Sequence, residues 1–166
     1  GLAARDSLVG KPEHHREWAV VCGESLEERV HSNAMRTPLY LGCNSFVDHE
    51  IGRVINAVHQ VGPEDTYIMY TSDHGDMFGA HQMLGKGPAM YEEITRIPLI
   101  IEQPGAARGG SVNSTLVSHL DLVPTMLDLA GCDTPEILTG DSLVPMLDGH
   151  TDDARSVMIE FNRFGV

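Results

Sequence analysis

Asp73, His74 and Gly75 stand at the end of the apolar run Thr66-Tyr67-Ile68-Met69-Tyr70-Thr71, and these residue types suit metal chemistry. A carboxylate offers oxygen donors and an imidazole offers nitrogen. Neighbours on a strand point to opposite faces, but a turn at the strand end brings both side chains to one cation. Gly75 lets the backbone bend there and leaves room for a close ligand. The same tripeptide has a plainer reading, in which Asp73 caps a turn and His74 is a polar loop residue. Cys22, Cys43 and Cys132 form no C-x-x-C pair, so neither a disulfide framework nor a thiolate zinc site is expected. All three are expected to be small buried hydrophobes. His14, His15, His31, His49, His59 and His150 have no mutual metal-ligand spacing and are assigned to the surface or to satisfied core positions.

These residues must be positioned by the elements around them. Residues 1–37 are polar and mixed, and are expected to be irregular, with Glu17-Trp18-Ala19-Val20-Val21 as a short strand or tether. From Pro38 the pattern turns helical: Leu39, Phe46, Ile51, Val54, Ile55 and Val58 recur at spacings near three and four, and Gly62-Pro63 closes the segment. Residues 66–71 read as a buried strand. A loop rich in Gly and His follows, then a short helical piece over Met90–Thr95 and a second strand at Ile97–Ile101. Pro104-Gly105 and Gly109-Gly110 mark a turn. Leu120–Ala130 reads as a helix with Pro124 tolerated in its first turn, Leu143–Leu147 as a short helical turn, and Val157–Ile159 as a last strand. This order predicts an α/β chain with a mostly parallel sheet flanked by helices. In such sheets the ligand crevice lies beyond the carboxyl ends of the strands, so Ser72–Lys86 is where chemistry is expected.

The wider pattern is more specific than the tripeptide. Thr71-Ser72-Asp73-His74-Gly75-Asp76-Met77 leads to Gly79-Ala80-His81, then Leu84-Gly85-Lys86-Gly87, Tyr91-Glu92-Glu93 and Arg96-Ile97-Pro98-Leu99-Ile100. Upstream stand Tyr40–Asp48 and Ile51-Gly52-Arg53-Val54; downstream stand Ser118–Thr125, Leu127–Gly131 and Gly140–Leu143. In this order, from about Pro38 to the C-terminus, the chain resembles the sulfatase branch of the alkaline phosphatase superfamily. The resemblance implies part of a three-layer alkaline-phosphatase-like domain, with residues 38–166 as the C-terminal part of the catalytic domain. It implies that Asp73 and His74 are metal ligands and that Lys86 faces the ester. His81 would lie near the leaving group or steady the loop. A carboxylate-rich site suits Ca²⁺, the metal expected, or Mg²⁺, while the His74 imidazole tilts the choice toward Mn²⁺ or another transition ion. Tyr91, Glu93 and Arg96 are expected to brace the loop, and Asp121 to stand at the start of a helix.

Sulfatases attack with a formylglycine made from the first residue of C/S-x-P/A-x-R. None of the three cysteines has Arg four residues on, and Ser25-Leu26-Glu27-Glu28-Arg29 has Glu where Pro or Ala is needed. The nucleophile is therefore expected from a part N-terminal to these residues, and the chain alone is expected to be inactive. The resemblance equally admits phosphonate monoester or phosphodiester hydrolysis, and a non-catalytic sulfatase-like module that binds anions or a partner protein.

Composition limits the partners. The 166 residues carry 11 Lys and Arg against 24 Asp and Glu, a net charge of −13. Neither nucleic acid nor an anionic membrane attracts such a surface. A small anionic ester is the expected substrate, drawn by a metal or a few placed cations. No run reaches the roughly 20 apolar residues of a membrane span, and no basic-then-apolar leader stands at the start. The compartment, cytoplasmic or periplasmic, and a homo-oligomeric state stay open.

Overall fold

The computed structural model describes residues 6–22, 26–87, 89–105 and 109–160. The chain divides into two compact units, Gly1–Gly105 with Glu160–Val166 and Ala106–Ile159, each described here by itself.

In the first unit the β-rich run forms strand β1, Ile68–Thr71, and the second apolar run forms β2, Leu99–Glu102. The two pair antiparallel, with Ile68 opposite Glu102 and Thr71 opposite Leu99. This corrects the parallel pairing expected between them. A parallel partner needs a crossover of a dozen or more residues, usually helical. The described residues between 72 and 98 supply only a single-turn 3₁₀ segment, Ala80–Gln82, and the four-residue helix α3, Glu92–Thr95, so the chain folds back on itself. Val157–Ile159, expected as a strand, joins no ladder among the described residues, because apolar β-branched residues make a strand only where a neighbour takes up their backbone hydrogen bonds.

Two helices precede the sheet. Glu13–Val21 forms α1, which overturns the strand expected at 17–21: Trp18 and Ala19 turn inward while Glu17, Val20 and Val21 stay exposed, a helical rather than an alternating pattern. Helix α2 spans Leu26–Val61 and passes through Pro38 instead of starting there. Proline is favoured at a helix start, and that preference misplaces the boundary. No helix among the described residues is long and apolar enough to cross a membrane. Leu39, Phe46 and Val54 of α2 are largely exposed, as is Cys43. Cys22 is half-buried and Cys132 exposed, so the expectation of three buried cysteines fails: Cys43 lies on an exposed stretch of α2, and Cys132 just past the helix Leu122–Leu129.

The core of this unit lies under the loop and not under the sheet. Leu8, Ala19, Met77, Met83 and Ala89 are buried together, with Trp18, Ala80, Tyr91 and Ile94 packed against them. The segment that carries the candidate chemistry is thus fixed by its own methionines, whose flexible side chains fill irregular space. His59, in the last turn of α2, meets Glu102 of β2 at 2.7 Å.

The second unit is built on helix α4, Leu122–Leu129, and the short α5, Val144–Leu147. Ser118 caps the 3₁₀ turn His119–Asp121 that leads into α4, and the Asp121 carboxylate accepts the Ser118 N–H at 2.7 Å in return. Asp121, Pro124 and Thr125 are fully buried.

Candidate functional site

Four residues after β1, at Gly75, the backbone is drawn against α3. The Gly75 N–H donates to the Ile94 carbonyl at 2.8 Å, and a β-carbon at position 75 would collide with the Glu93 carbonyl. Only glycine permits that approach.

Asp73 and His74 meet at that end. Asp73 Oδ1 accepts the His74 backbone N–H at 2.9 Å, while Oδ2 lies 3.3 Å from His74 Nε2. On the other side of the ring, Nδ1 is 2.8 Å from the Gly75 carbonyl. A carbonyl only accepts, so Nδ1 is the donor in that contact, and Nε2 is the nitrogen turned toward the carboxylate. Metal-binding histidines are oriented in this way, by donating the far N–H to a backbone carbonyl. The His74 N–H is the main cause that holds Asp73 below the usual carboxylate value, with the charges of His74 and Lys86 adding to it. The Asp73 side chain is 82% exposed, so its outer lone pairs are open. An oxygen and a nitrogen donor at this separation suit two positions of one divalent cation. No group of three or more His, Cys, Asp or Glu among the described residues could hold a metal.

Lys86 stands exposed between Gly85 and Gly87. Gly85 is in the left-handed region at φ +66°, and its carbonyl accepts the Met77 N–H at 3.0 Å, which ties the lysine turn to the segment running on from Asp73. Lys86 and the Asp73–His74 pair therefore belong to one loop system.

His81 is engaged elsewhere. Its Nδ1 lies 2.8 Å from Asp6 Oδ2, its Nε2 lies 3.7 Å from Glu93, and its ring stacks on Tyr91 at 3.8 Å between centroids. Both nitrogens face carboxylates, which is the geometry of a loop brace. The brace has a load to hold, because Phe78, His81 and Gln82 all have positive φ and cost of order 1–3 kcal/mol each. Gln82 donates to the Asp6 carbonyl, and the Tyr91 hydroxyl meets His15 Nδ1 at 3.1 Å. Tyr91 thus braces the loop as expected. Arg96 pairs with Glu92 on the exposed face of α3 at 3.3 Å, and Glu93 turns to His81 instead.

Sequence reasoning missed Asp6, His15 and Trp18. The Trp18 indole N–H donates to the Leu84 carbonyl at 3.2 Å, and the Leu84 N–H meets Cys22 Sγ at 3.4 Å. A usable signal was present in the 1,4 spacing of Trp18 and Cys22, which puts both on one helix face.

Three comparisons bear on this geometry. The sulfatase family matches residues 12–132. The chain is 47% identical over its whole length to the uncharacterized sulfatase YidJ of Escherichia coli, and spans 31% of that protein. It is 43% identical over 66% of its length to an N-acetylglucosamine-6-O-sulfatase of Bacteroides thetaiotaomicron, of which it covers 20%. Among solved structures, the phosphonate monoester hydrolase of Agrobacterium radiobacter superposes with a TM-score of 0.58 at 38% identity, over 65% of this chain and 22% of that one. The chain spans about a third or less of these relatives.

Proposed function

The chain belongs to the sulfatase family, and from that premise we propose that it forms the C-terminal part of the catalytic domain of a metal-dependent hydrolase of sulfate esters. The observation that carries the reading is the Asp73–His74 pair, an open carboxylate oxygen 3.3 Å from an imidazole nitrogen whose partner nitrogen faces a carbonyl. Asp73 and His74 hold a divalent cation, Ca²⁺ before Mn²⁺ or Mg²⁺, together with carboxylates from outside these residues. When bound, the cation polarises the ester oxygens as a Lewis acid. The nucleophile is a formylglycine supplied from outside the 166 residues, so this chain alone does not turn over substrate.

Lys86 acts on charge. Ester cleavage places negative charge on the leaving oxygen, and an ammonium group aimed there stabilises the transition state more than the bound substrate. His81 steadies the loop that presents Lys86, and makes no direct contribution to leaving-group protonation while both its nitrogens face carboxylates. Removal of one electrostatic donor of this kind costs roughly a hundredfold in kcat. Lys86→Ala in the complete enzyme is therefore expected to lower kcat by about that factor with an unchanged melting temperature. A stable, fully active Lys86→Ala enzyme removes Lys86 from the site.

The likeness to a phosphonate monoester hydrolase favours a second reading, in which the same groups act on a phosphonate monoester. Comparison of kcat/KM for an aryl sulfate and an aryl phosphonate monoester on one preparation separates the two.

A further inference from the structure

We infer that Trp18, on a helix that carries none of the proposed site residues, is the positioning residue for Lys86. The inference rests on the reading of Lys86 given above and extends it to a contact 66 residues away in sequence.

The four residues Leu84–Gly87 are held from two sides. On one side the Gly85 carbonyl accepts the Met77 N–H at 3.0 Å, which fixes the turn to the segment that leaves Asp73. On the other, α1 takes both backbone groups of Leu84: Trp18 Nε1 donates to its carbonyl at 3.2 Å, and Cys22 Sγ lies 3.4 Å from its N–H. The indole then continues along the strip to Gly87. A β-carbon there would sit 2.5 Å from Trp18 Nε1, 2.6 Å from Cδ1 and 2.8 Å from Cε2. Gly87 is buried by this contact, whereas Lys86 beside it is exposed. The two glycines around the lysine therefore have different reasons. Gly85 supplies a left-handed turn, and Gly87 supplies a flat surface for the tryptophan.

A lysine is a point charge on a four-carbon stem, so its placement depends on the backbone from which it rises. The bare Gly-Lys-Gly backbone is permissive and does not fix that origin by itself. The indole edge removes this freedom without touching the reaction, by clamping one residue on each side of Lys86. Misplacement of a reacting group by about 1 Å can cost up to a hundredfold in rate, so loosening the clamp shows in kcat and not only in stability.

The test is a double-mutant cycle in the complete enzyme with an aryl sulfate. Trp18→Phe keeps an aromatic ring in the core and removes the indole donor; it is expected to lower kcat by about tenfold with a small change in KM. In a Lys86→Ala background the same substitution should have no further effect, because residues that act through one group are not additive. Gly87→Ala, which pushes a methyl group into the indole edge, provides a second arm and should behave alike if Trp18→Phe fails to fold. Wild-type kcat in both Trp18→Phe and Gly87→Ala overturns the inference. So does a loss that persists undiminished beside Lys86→Ala, or one that follows the melting temperature. If Lys86→Ala is itself fully active, the reading of the site fails first, and that result is distinct from an active Trp18→Phe beside an inactive Lys86→Ala.

Discussion

Asp73 and Asp121 are both aspartates at the end of a secondary element, and the protein uses them in opposite ways. Asp121 is 1% exposed and both oxygens of its carboxylate are engaged. Oδ2 accepts the Ser118 N–H at 2.7 Å, and Oδ1 accepts the Asp141 N–H at 3.0 Å and the Arg155 guanidinium at 2.6 Å. Asp73 is exposed, makes a short-range bond to the next residue, and turns its other oxygen toward an imidazole nitrogen. A buried carboxylate bonded through both oxygens is committed to the fold, and breaking it strands several partners at once. An open carboxylate beside a second donor contributes little to folding and is available for a cation. Burial and satisfaction, not residue type, separate these two aspartates.

The largest effect is expected at Asp73. On the proposed function, Asp73→Asn in the complete enzyme should lower kcat/KM by more than about a hundredfold, since a cation held there would supply several kcal/mol of transition-state stabilisation. The melting temperature should hardly move. Calorimetric titration with Ca²⁺ checks the cause, because affinity and activity should fall together. Near-normal activity of Asp73→Asn would break the comparison by making the open carboxylate a bystander.

Asp121→Ala should do the reverse. Removal of one partner from a buried pair costs about 3 kcal/mol, and the Ser118, Asp141 and Arg155 donors lose their acceptor together. Urea unfolding reads the loss, and hydrogen exchange at the Asp141 amide locates it. The same carboxylate should make the stability depend on pH in the acid range. Burial pushes its pKa up, but the Arg155, Ser118 and Asp141 bonds outweigh burial and hold it below the usual carboxylate value. Its contribution is therefore complete above the unfolded value, near pH 4, and is lost as pH falls through the lower folded value. Asp121→Asn should flatten the stability profile in that acid range. An unchanged acid slope would show that another carboxylate sets that dependence.

The smallest effect sharpens the same contrast. Thr125 is buried, its Oγ1 donates to the Asp121 carbonyl at 2.6 Å and accepts the Leu143 N–H at 2.8 Å. Thr125→Val keeps the shape and strands the Leu143 N–H, at a cost of about 2 kcal/mol. Faster hydrogen exchange at Leu143, with kcat of the complete enzyme retained, is the expected pair of results. A fall in kcat without loss of stability would tie this knot to catalysis.

Much of the molecule was legible in the order of its residues. The runs 66–71 and 97–101 read as strands because β-rich apolar residues lie between polar turns, and they formed β1 and β2. Leu120–Ala130 read as a helix because its caps and apolar spacing are local, and α4 followed. Asp73, His74 and Gly75 could be named as a group because a strand end, two donors and a glycine are adjacent in the chain. The family was readable because its motifs keep one order over most of the sequence.

The tertiary structure alone decided what depends on distant partners. The antiparallel direction of β2 follows from how the residues between the strands fold back, which no periodicity encodes. The segment 17–21 became helical because Trp18 and Ala19 found a core made by Met77 and Met83, far along the chain. His81 read equally as a reacting group or a brace until Asp6 and Glu93 were placed on its two nitrogens. Gly87 read as part of a motif until the indole of Trp18 showed what its missing side chain makes room for. Sequence fixes the chemistry that neighbours in the chain can perform, whereas hydrogen-bond satisfaction and close packing are made between residues that only folding brings together.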